Sequence, residues 1–131
     1  MRNFPDIAIS RTDLHRLTLL LNKVDQSTEV AIGLTEELER ATLLSGEILP
    51  DTVIGMNSRV TFQNLDTGKV FKKELVFPHE IDSSTDKISI LTPAGAAMLG
   101  LSVGSEIEWL LSNGKILKIG ILKVERKVLT A

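Results

Sequence analysis

The sequence predicts an α+β protein, in which a short antiparallel helical hairpin precedes an antiparallel β-sheet that carries one short helix. Three observations predict this class. In the first third of the chain, apolar residues recur every three or four positions, as on one face of a helix. From about residue 53 onward they alternate with polar residues, as in half-buried strands. The stretch Lys87–Gly104 combines a strand pattern with a helix start and a helix end.

Capping signals and two apolar seams predict the hairpin. Ser10 and Asp13 resemble a capping box, with Asp in place of the usual Glu, and Ser27 or Thr28 is placed to cap a second helix. Both seams have spacings of three, four and three residues, typical of a short coiled coil; they are Leu14, Leu17, Leu21 and Val24, and then Ala31, Leu34, Leu38 and Ala41. Residues 45–46, Ser-Gly, are expected to end the second helix. Its solvated side is expected to be Glu36, Glu37, Glu39 and Arg40.

A linker and a set of strands follow the hairpin. Residues 47–52 contain Pro50 and have no helical period, so they predict a linker between a helical domain at 1–48 and a sheet domain at 53–131. Four or five strands are expected after it. Their inward-facing residues are Val60 and Phe62, then Phe71, Leu75 and Phe77, then Ile88, and then Ile107, Trp109 and Leu111.

Local signals place the turns and irregularities of the sheet. Residues 66–68, Asp-Thr-Gly, predict one turn, and Asn113-Gly114 predicts a hairpin before the last strand. The alternation of that strand changes phase near Gly120, which indicates a β-bulge.

The short helix has signals at both ends. Thr92 offers a capping hydroxyl, Pro93 suits the first helical position, and Gly100 suits the left-handed residue after a helix. Met98 and Leu99 are expected to press on the sheet. A helix capped in this way exposes its Thr92-Pro93 step, which we expect to be a docking surface.

Composition excludes several function classes. The 131 residues suffice for a core, and the absence of Cys excludes disulfides and thiolate zinc sites. Residues 1–50 carry five basic and eight acidic side chains, and residues 51–131 carry ten and nine. Neither part is basic enough to favour free duplex DNA, so a protein partner is expected. Since no apolar run approaches the ~20 residues of a membrane span and no signal-peptide pattern follows Met1, a cytoplasmic protein is expected.

No catalytic residue, cofactor or resident metal is predicted. His15 and His79 have no partners at metal-ligand spacing, and neither a nucleophile elbow nor a phosphate-binding glycine loop occurs. Asp25 and Glu29, near the hairpin tip, allow two interpretations. They are either oxygen ligands for Mg²⁺, or a turn residue and a helix-start residue favoured by the helix dipole.

The basic residues near the C-terminus also allow two interpretations. They are Lys115, Lys118, Lys123, Arg126 and Lys127. They predict either a nucleic-acid contact or the protection of an edge strand against aggregation. Because the chain has one Trp, four Phe and no Tyr, it lacks a base-stacking platform, and direct nucleic-acid contact is expected to be weak at most.

Several stretches together carry a resemblance to a known family. They are residues 37–41 (ELERA), 53–60 (VIGMNSRV), 64–68 (NLDTG), and 91–100 (LTPAGAAMLG) followed by Val103-Gly104. With them, nearly the whole chain resembles the Rnk branch of the Gre family of bacterial transcription factors. The resemblance implies an N-terminal coiled coil, an FKBP-like C-terminal domain, and binding to RNA polymerase at the rim of its secondary channel.

The resemblance also implies which residues bind. In Gre factors a strand-to-helix loop contacts the channel rim, and the matching residues are Leu91, Thr92, Pro93 and Ala94, which we name the shoulder. Gre hairpins are longer and carry acidic tip residues that bring Mg²⁺ to the polymerase active centre. The tip residues here are Asp25, Gln26 and Glu29. With about 14 residues a helix, this hairpin reaches only about 20 Å, too short for that task.

The resulting prediction is a monomeric, non-enzymatic regulator. It is expected to occupy the channel rim and to compete with Gre-type factors without stimulating transcript cleavage. The alternative is an FKBP-like peptidyl-prolyl isomerase, although the sequence offers few aromatic residues for a proline pocket.

Overall fold

The computed structural model describes residues 7–44, 52–83, 86–110 and 113–125. It confirms a mixed α+β chain. The elements in chain order are β1 (Ala8–Ser10), α1 (Arg11–Leu21), α2 (Glu29–Arg40), β2 (Thr42–Leu44), β3 (Arg59–Asn64), β4 (Val70–Val76), a 3-10 turn (Pro78–Glu80), β5 (Lys87–Ser89), α3 (Pro93–Met98), β6 (Glu106–Leu110) and β7 (Ile116–Glu125).

Both hairpin helices begin at the predicted caps. The Ser10 hydroxyl accepts a hydrogen bond from the Asp13 amide at 3.2 Å, and the Thr28 hydroxyl accepts one from the Ala31 amide at 3.2 Å. The Asp13 carboxylate binds a distant partner as well, since it accepts from the Met56 amide at 2.9 Å. Asp13 therefore ties the start of α1 to the segment that precedes the main sheet.

The second helix ends earlier than the sequence predicts. It stops at Arg40 instead of continuing to residues 45–46, which lie outside the described residues. The next residues form β2, which pairs in parallel with β1, Ala8 opposite Thr42. The pairing explains the early end, because backbone groups cannot serve a helix and a strand at once. The helices have 11 and 12 residues instead of about 14.

The main sheet has five strands in the order β5-β4-β3-β7-β6. All neighbours are antiparallel except β4 and β5, which run parallel, so the prediction of a purely antiparallel sheet is wrong. The connection between them contains the 3-10 turn Pro78–Glu80, and the chain returns so that β5 runs in the same direction as β4. The return also brings the ends of β4 and β5 to the same edge of the sheet.

The strand β7 departs from the sequence interpretation in two ways. Its bulge lies at Leu122, two residues after Gly120, since Thr61 pairs with Lys123 and Phe62 pairs with Ile121. Moreover, β7 is an inner strand between β3 and β6, so its lysines do not protect an edge. Lys123 instead lies 3.8 Å from Glu125, and that carboxylate also pairs with Lys72 at 3.2 Å. Arg126 and Lys127 lie outside the described residues.

The predicted turns are confirmed. Gly68 closes the turn after β3 by donating to the Asn64 carbonyl at 2.8 Å. Asn113-Gly114 lies in the connection of the β6–β7 hairpin, where the Asn113 side chain accepts from the Lys115 amide at 2.9 Å.

The helices and the sheet share one hydrophobic core. Leu17 of α1, Leu34 of α2 and Ile107 of β6 belong to the same buried cluster. Gly33 lets α2 approach the sheet, because a Cβ at this position would overlap the Trp109 ring. The hairpin therefore lies against the sheet, and its seams are not buried by helix pairing alone. The domain division at residues 48–53 stays a prediction.

Asn57 joins the segment before β3 to the end of β4. Its backbone is left-handed, with φ of +67°, and its side-chain amide donates to Glu80 at 3.1 Å and to Glu74 at 3.4 Å. The Glu80 carboxylate also accepts from the Phe77 amide at 3.0 Å. Asn is among the few residues that adopt this backbone region readily and also offer an amide donor.

Replacing Asn57 with Ala is therefore expected to lower the free energy of unfolding by about 1–3 kcal/mol, because hydrogen bonds to carboxylates are lost and Ala is strained at this φ. Asn57→Gly removes only the hydrogen bonds and is expected to cost less. Urea unfolding of both variants measures the two contributions. Equal losses would show that the backbone conformation contributes nothing.

Candidate docking site

Hydrogen bonds hold the shoulder in place. The Thr92 hydroxyl accepts from the Gly95 amide at 3.0 Å and donates to the Ser89 carbonyl at 2.7 Å. The Leu91 amide donates to the Ser89 hydroxyl at 3.1 Å. Thr92 is the N-cap and Pro93 the first residue of α3, as the sequence predicts. The shoulder is thus a preorganised turn.

The short helix presses the shoulder onto the sheet. Gly95 lies against the Ser89 carbonyl, where a Cβ would collide with the backbone, and Met98 is fully buried. Gly100 ends the helix with φ of +78°, and its carbonyl accepts from the Ala8 amide at 3.2 Å. All four shoulder residues are half-buried, so the shoulder is less exposed than the sequence predicts.

The parallel pair of strands places a second surface beside the shoulder. Val76 pairs with Ser89, and the Ile90 amide donates to the Val76 carbonyl at 2.9 Å. The residues after β4, Phe77 to His79, therefore leave the sheet next to the shoulder.

A groove lies between this turn and α1. It has a volume of about 340 Å³, and we name it the basic groove, lined by Arg16, Leu19, Leu20, Lys23, Phe77, Pro78 and His79. The Arg16 guanidinium lies 4.2 Å from the centre of the Phe77 ring, and the ring of His79 stacks near the same phenyl group at 6.0 Å. The sequence interpretation missed this groove. The feature of the sequence that pointed to the groove was Leu19, an apolar residue of α1 that lies outside the predicted seam.

The predicted hairpin tip has a turn geometry. The Asp25 carboxylate accepts from the hydroxyl and the amide of Ser27, at 2.6 and 2.9 Å, and these bonds lower the pKa of Asp25. The Gln26 side chain donates to the Leu21 carbonyl at 3.3 Å. Glu29 is the first residue of α2 and is exposed. Within the described residues, no hydrogen bond joins the tip to the shoulder.

One acidic residue lies where the sequence interpretation did not expect it. The sequence predicts Glu37 on the solvated side of α2, but the residue is only 2% exposed. Neither carboxylate oxygen has a hydrogen-bond partner among the described residues, and burial raises the pKa of Glu37 to about 9 despite the nearby charge of Arg40. The assignment failed because it treated the charged residues of α2 as one face, whereas the side facing the sheet includes position 37.

The described residues contain neither a metal-binding cluster nor a membrane-spanning helix. Residues 7–44, 52–83, 86–110 and 113–125 contain no group of three or more His, Asp or Glu side chains arranged to hold a metal ion. Over the same ranges, no helix has the length and apolar character required to span a bilayer.

Comparisons with known proteins match both parts of the chain. The Rnk N-terminus family matches residues 5–44, and the C-terminal family of the transcription elongation factors GreA and GreB matches residues 49–126. The regulator of nucleoside diphosphate kinase of Escherichia coli (strain K12) is 38% identical over 122 residues, covering 92% of this chain and 90% of that protein.

Gre factors are similar as well. GreA of Syntrophus aciditrophicus is 36% identical over 80 residues, which is 58% of this chain and 50% of that protein. A solved structure of a GreA/GreB elongation factor from Nitrosomonas europaea is 41% identical, with a TM-score of 0.73, covering 92% of this chain and 98% of that one.

These relatives are described as regulators or transcription factors, and none of them as a prolyl isomerase. They support the Gre-type fold but do not confirm the FKBP-like and coiled-coil details. With matches that together span residues 5–126, this chain belongs to the Rnk family of Gre-type regulators.

Proposed function

We propose that this chain is a transcription regulator that binds RNA polymerase through the shoulder, at the rim of the secondary channel. There it competes with Gre-type factors and does not stimulate transcript cleavage. The similarity to transcription elongation factors over residues 49–126 supports the choice of partner. The shoulder supports the choice of site, because its turn is held by hydrogen bonds and needs little ordering when a partner binds.

The length of the hairpin is the observation that carries the non-cleaving part of the proposal. Helices of 11 and 12 residues span only about 17–18 Å. The contact of Gly33 with Trp109 further holds α2 against the sheet. A short hairpin held against its own sheet keeps Asp25 from reaching deep into a channel, and the Asp25 carboxylate is already bonded to Ser27.

Pro93→Asp is expected to weaken polymerase binding by tenfold or more, on the order of 1.4 kcal/mol, by placing a carboxylate on the shoulder. Asp is tolerated in the first turn of a helix, so α3 should persist. Thr92 is left unchanged because its hydroxyl caps α3. Binding is measured with purified core polymerase and labelled protein, and by competition against a long-hairpin Gre factor.

Val70→Asp is the matched control. Val70 is 52% exposed and begins β4, so it lies at the opposite end of that strand from the shoulder, about 20 Å away. Equal binding by wild type and Pro93→Asp would exclude the shoulder as the contact. Release of short RNA from stalled elongation complexes by the wild-type protein would contradict the non-cleaving mechanism.

A further inference from the structure

We infer that the basic groove binds an acidic segment of the partner protein, whose apolar side chains enter the groove and whose carboxylates pair with its rim. This inference rests on the proposed function, since it adds a second contact beside the shoulder. It concerns a different surface, formed by α1 together with the turn after β4.

The floor of the groove is apolar and accessible. Leu19 is 48% exposed, and Leu20 and Pro78 are half-buried. A single exposed leucine is ordinary on a protein surface. Here, however, Leu19 borders a concave space of about 340 Å³, which has room for more than one aliphatic side chain of a ligand. Apolar anchors entering a concave surface are a recurring mode of peptide recognition.

The rim of the groove is cationic. Arg16 lies in α1 and Lys23 lies two residues after the last residue of that helix, Leu21; both are exposed and both line the groove. Among the residues that the structure describes, no acidic side chain lines the groove, and neither Arg16 nor Lys23 is within ion-pair distance of a carboxylate. Both cations are therefore available to carboxylates of a ligand.

The same surface is poorly suited to nucleic acid. Phe77 is only 4% exposed, and the Arg16 guanidinium already covers its ring, so the Phe77 face is not open for a base to stack on. The combination of an apolar floor with two cations that pair with no carboxylate among the described residues fits an acidic amphipathic peptide better.

The position of the groove makes a joint contact possible. The Phe77–His79 wall leaves the sheet beside the shoulder, because β4 and β5 end at the same edge. A partner segment that contacts Pro93 can therefore continue toward α1. A docking face built from both surfaces includes residues of the helical and the sheet parts of the chain.

The direct test is an NMR titration with a synthetic helical peptide that has leucines on one face and glutamates on the other. Amide shifts are expected to concentrate at residues 16–23 and 77–79. Reversing both rim charges, Arg16→Glu with Lys23→Glu, is expected to raise the peptide Kd by tenfold or more, on the order of the change expected for reversed charges at an interface. The matched control is Arg11→Glu with Lys115→Glu, which gives the same net charge at two other exposed positions.

A second variant distinguishes a loss of peptide binding from a loss of folding. Leu19→Ser removes the apolar anchor point from an exposed position, so its thermal unfolding is expected to match the wild type while its peptide Kd rises. Shifts spread over other surfaces, or equal Kd values for the rim and control variants, would overturn the inference. Tighter binding of the groove to an oligothymidine than to the peptide would overturn it too.

A parallel measurement with RNA polymerase separates the two proposals. Failure of the wild type to bind polymerase refutes the proposed function, and the peptide titration still decides the inference. If polymerase binds, the rim variant is expected to bind at least tenfold more weakly than the control variant, on the order of 1.4 kcal/mol. Equal polymerase binding by the two variants would exclude the groove from the docking face.

Discussion

At pH 8, the Glu37→Gln variant is expected to have a higher free energy of unfolding than the wild type, whereas near pH 4 the two are expected to be similar. Glu37 is buried and has no hydrogen-bond partner in the part of the chain that the structure describes, and burial raises its pKa from 4.5 to about 9. Between pH 4.5 and 9 the Glu37 carboxyl keeps its proton in the folded protein, whereas it loses the proton in the unfolded chain. Folding then requires proton uptake, so stability falls as the pH rises.

The size of the effect follows from the proton linkage. Each pH unit between 4.5 and 9 lowers the stability contributed by Glu37 by at most about 1.4 kcal/mol. At pH 7 the accumulated loss is at most about 3.5 kcal/mol, a large share of the stability of a domain of this size. Below pH 4.5 both states are protonated and the contribution is constant. Because Gln cannot ionise, the difference in free energy of unfolding between Glu37→Gln and the wild type should increase as the pH rises.

The measurement is urea unfolding from pH 4 to 9, followed by the fluorescence of the single Trp. Glu39→Gln is the matched control, because it makes the same change at an exposed position of the same helix. Parallel stability curves for the wild type and Glu37→Gln would show that Glu37 is ionised and solvated in the folded protein. Its assignment to the interior of the fold would then be wrong.

Gly33→Ala is expected to lower the free energy of unfolding by about 1–3 kcal/mol, as overpacked cores do. In an exposed helix the same change stabilises by up to about 1 kcal/mol, because Ala is the better helix former. Here the new methyl group would overlap the Trp109 ring, which is 3% exposed and surrounded by core residues. To relieve the overlap, α2 must move away from the sheet.

Trp109 reports this movement directly. Its emission in the native state is expected to shift to longer wavelength in Gly33→Ala, since a displaced helix admits water to the indole. Ile32→Ala serves as the control, because Ile32 precedes Gly33 and is 47% exposed. A gain in stability for Gly33→Ala would indicate that α2 does not pack against the sheet. The hairpin would then be able to extend farther from the sheet than proposed above.

Local signals predicted many of the features that organise the chain. Ser10, Thr28 and Thr92 cap the helices as expected, and Gly100 takes the left-handed conformation that ends α3. Each of these features depends on hydrogen bonds or backbone angles within a few residues, so the information needed to predict it is contiguous in the sequence. The internal geometry of the shoulder belongs to this group, whereas its role in binding stays a prediction.

The sequence by itself determined where helices and turns begin, because the groups that decide those points are close neighbours along the chain. Only the tertiary structure decided which surfaces meet: the parallel pairs β1–β2 and β4–β5, the burial of Glu37, and the groove between Arg16 and Phe77. Each of these requires a partner brought from elsewhere in the chain by folding. Side-chain periodicity predicts that a face is buried, but the pattern alone does not identify the segment that covers it.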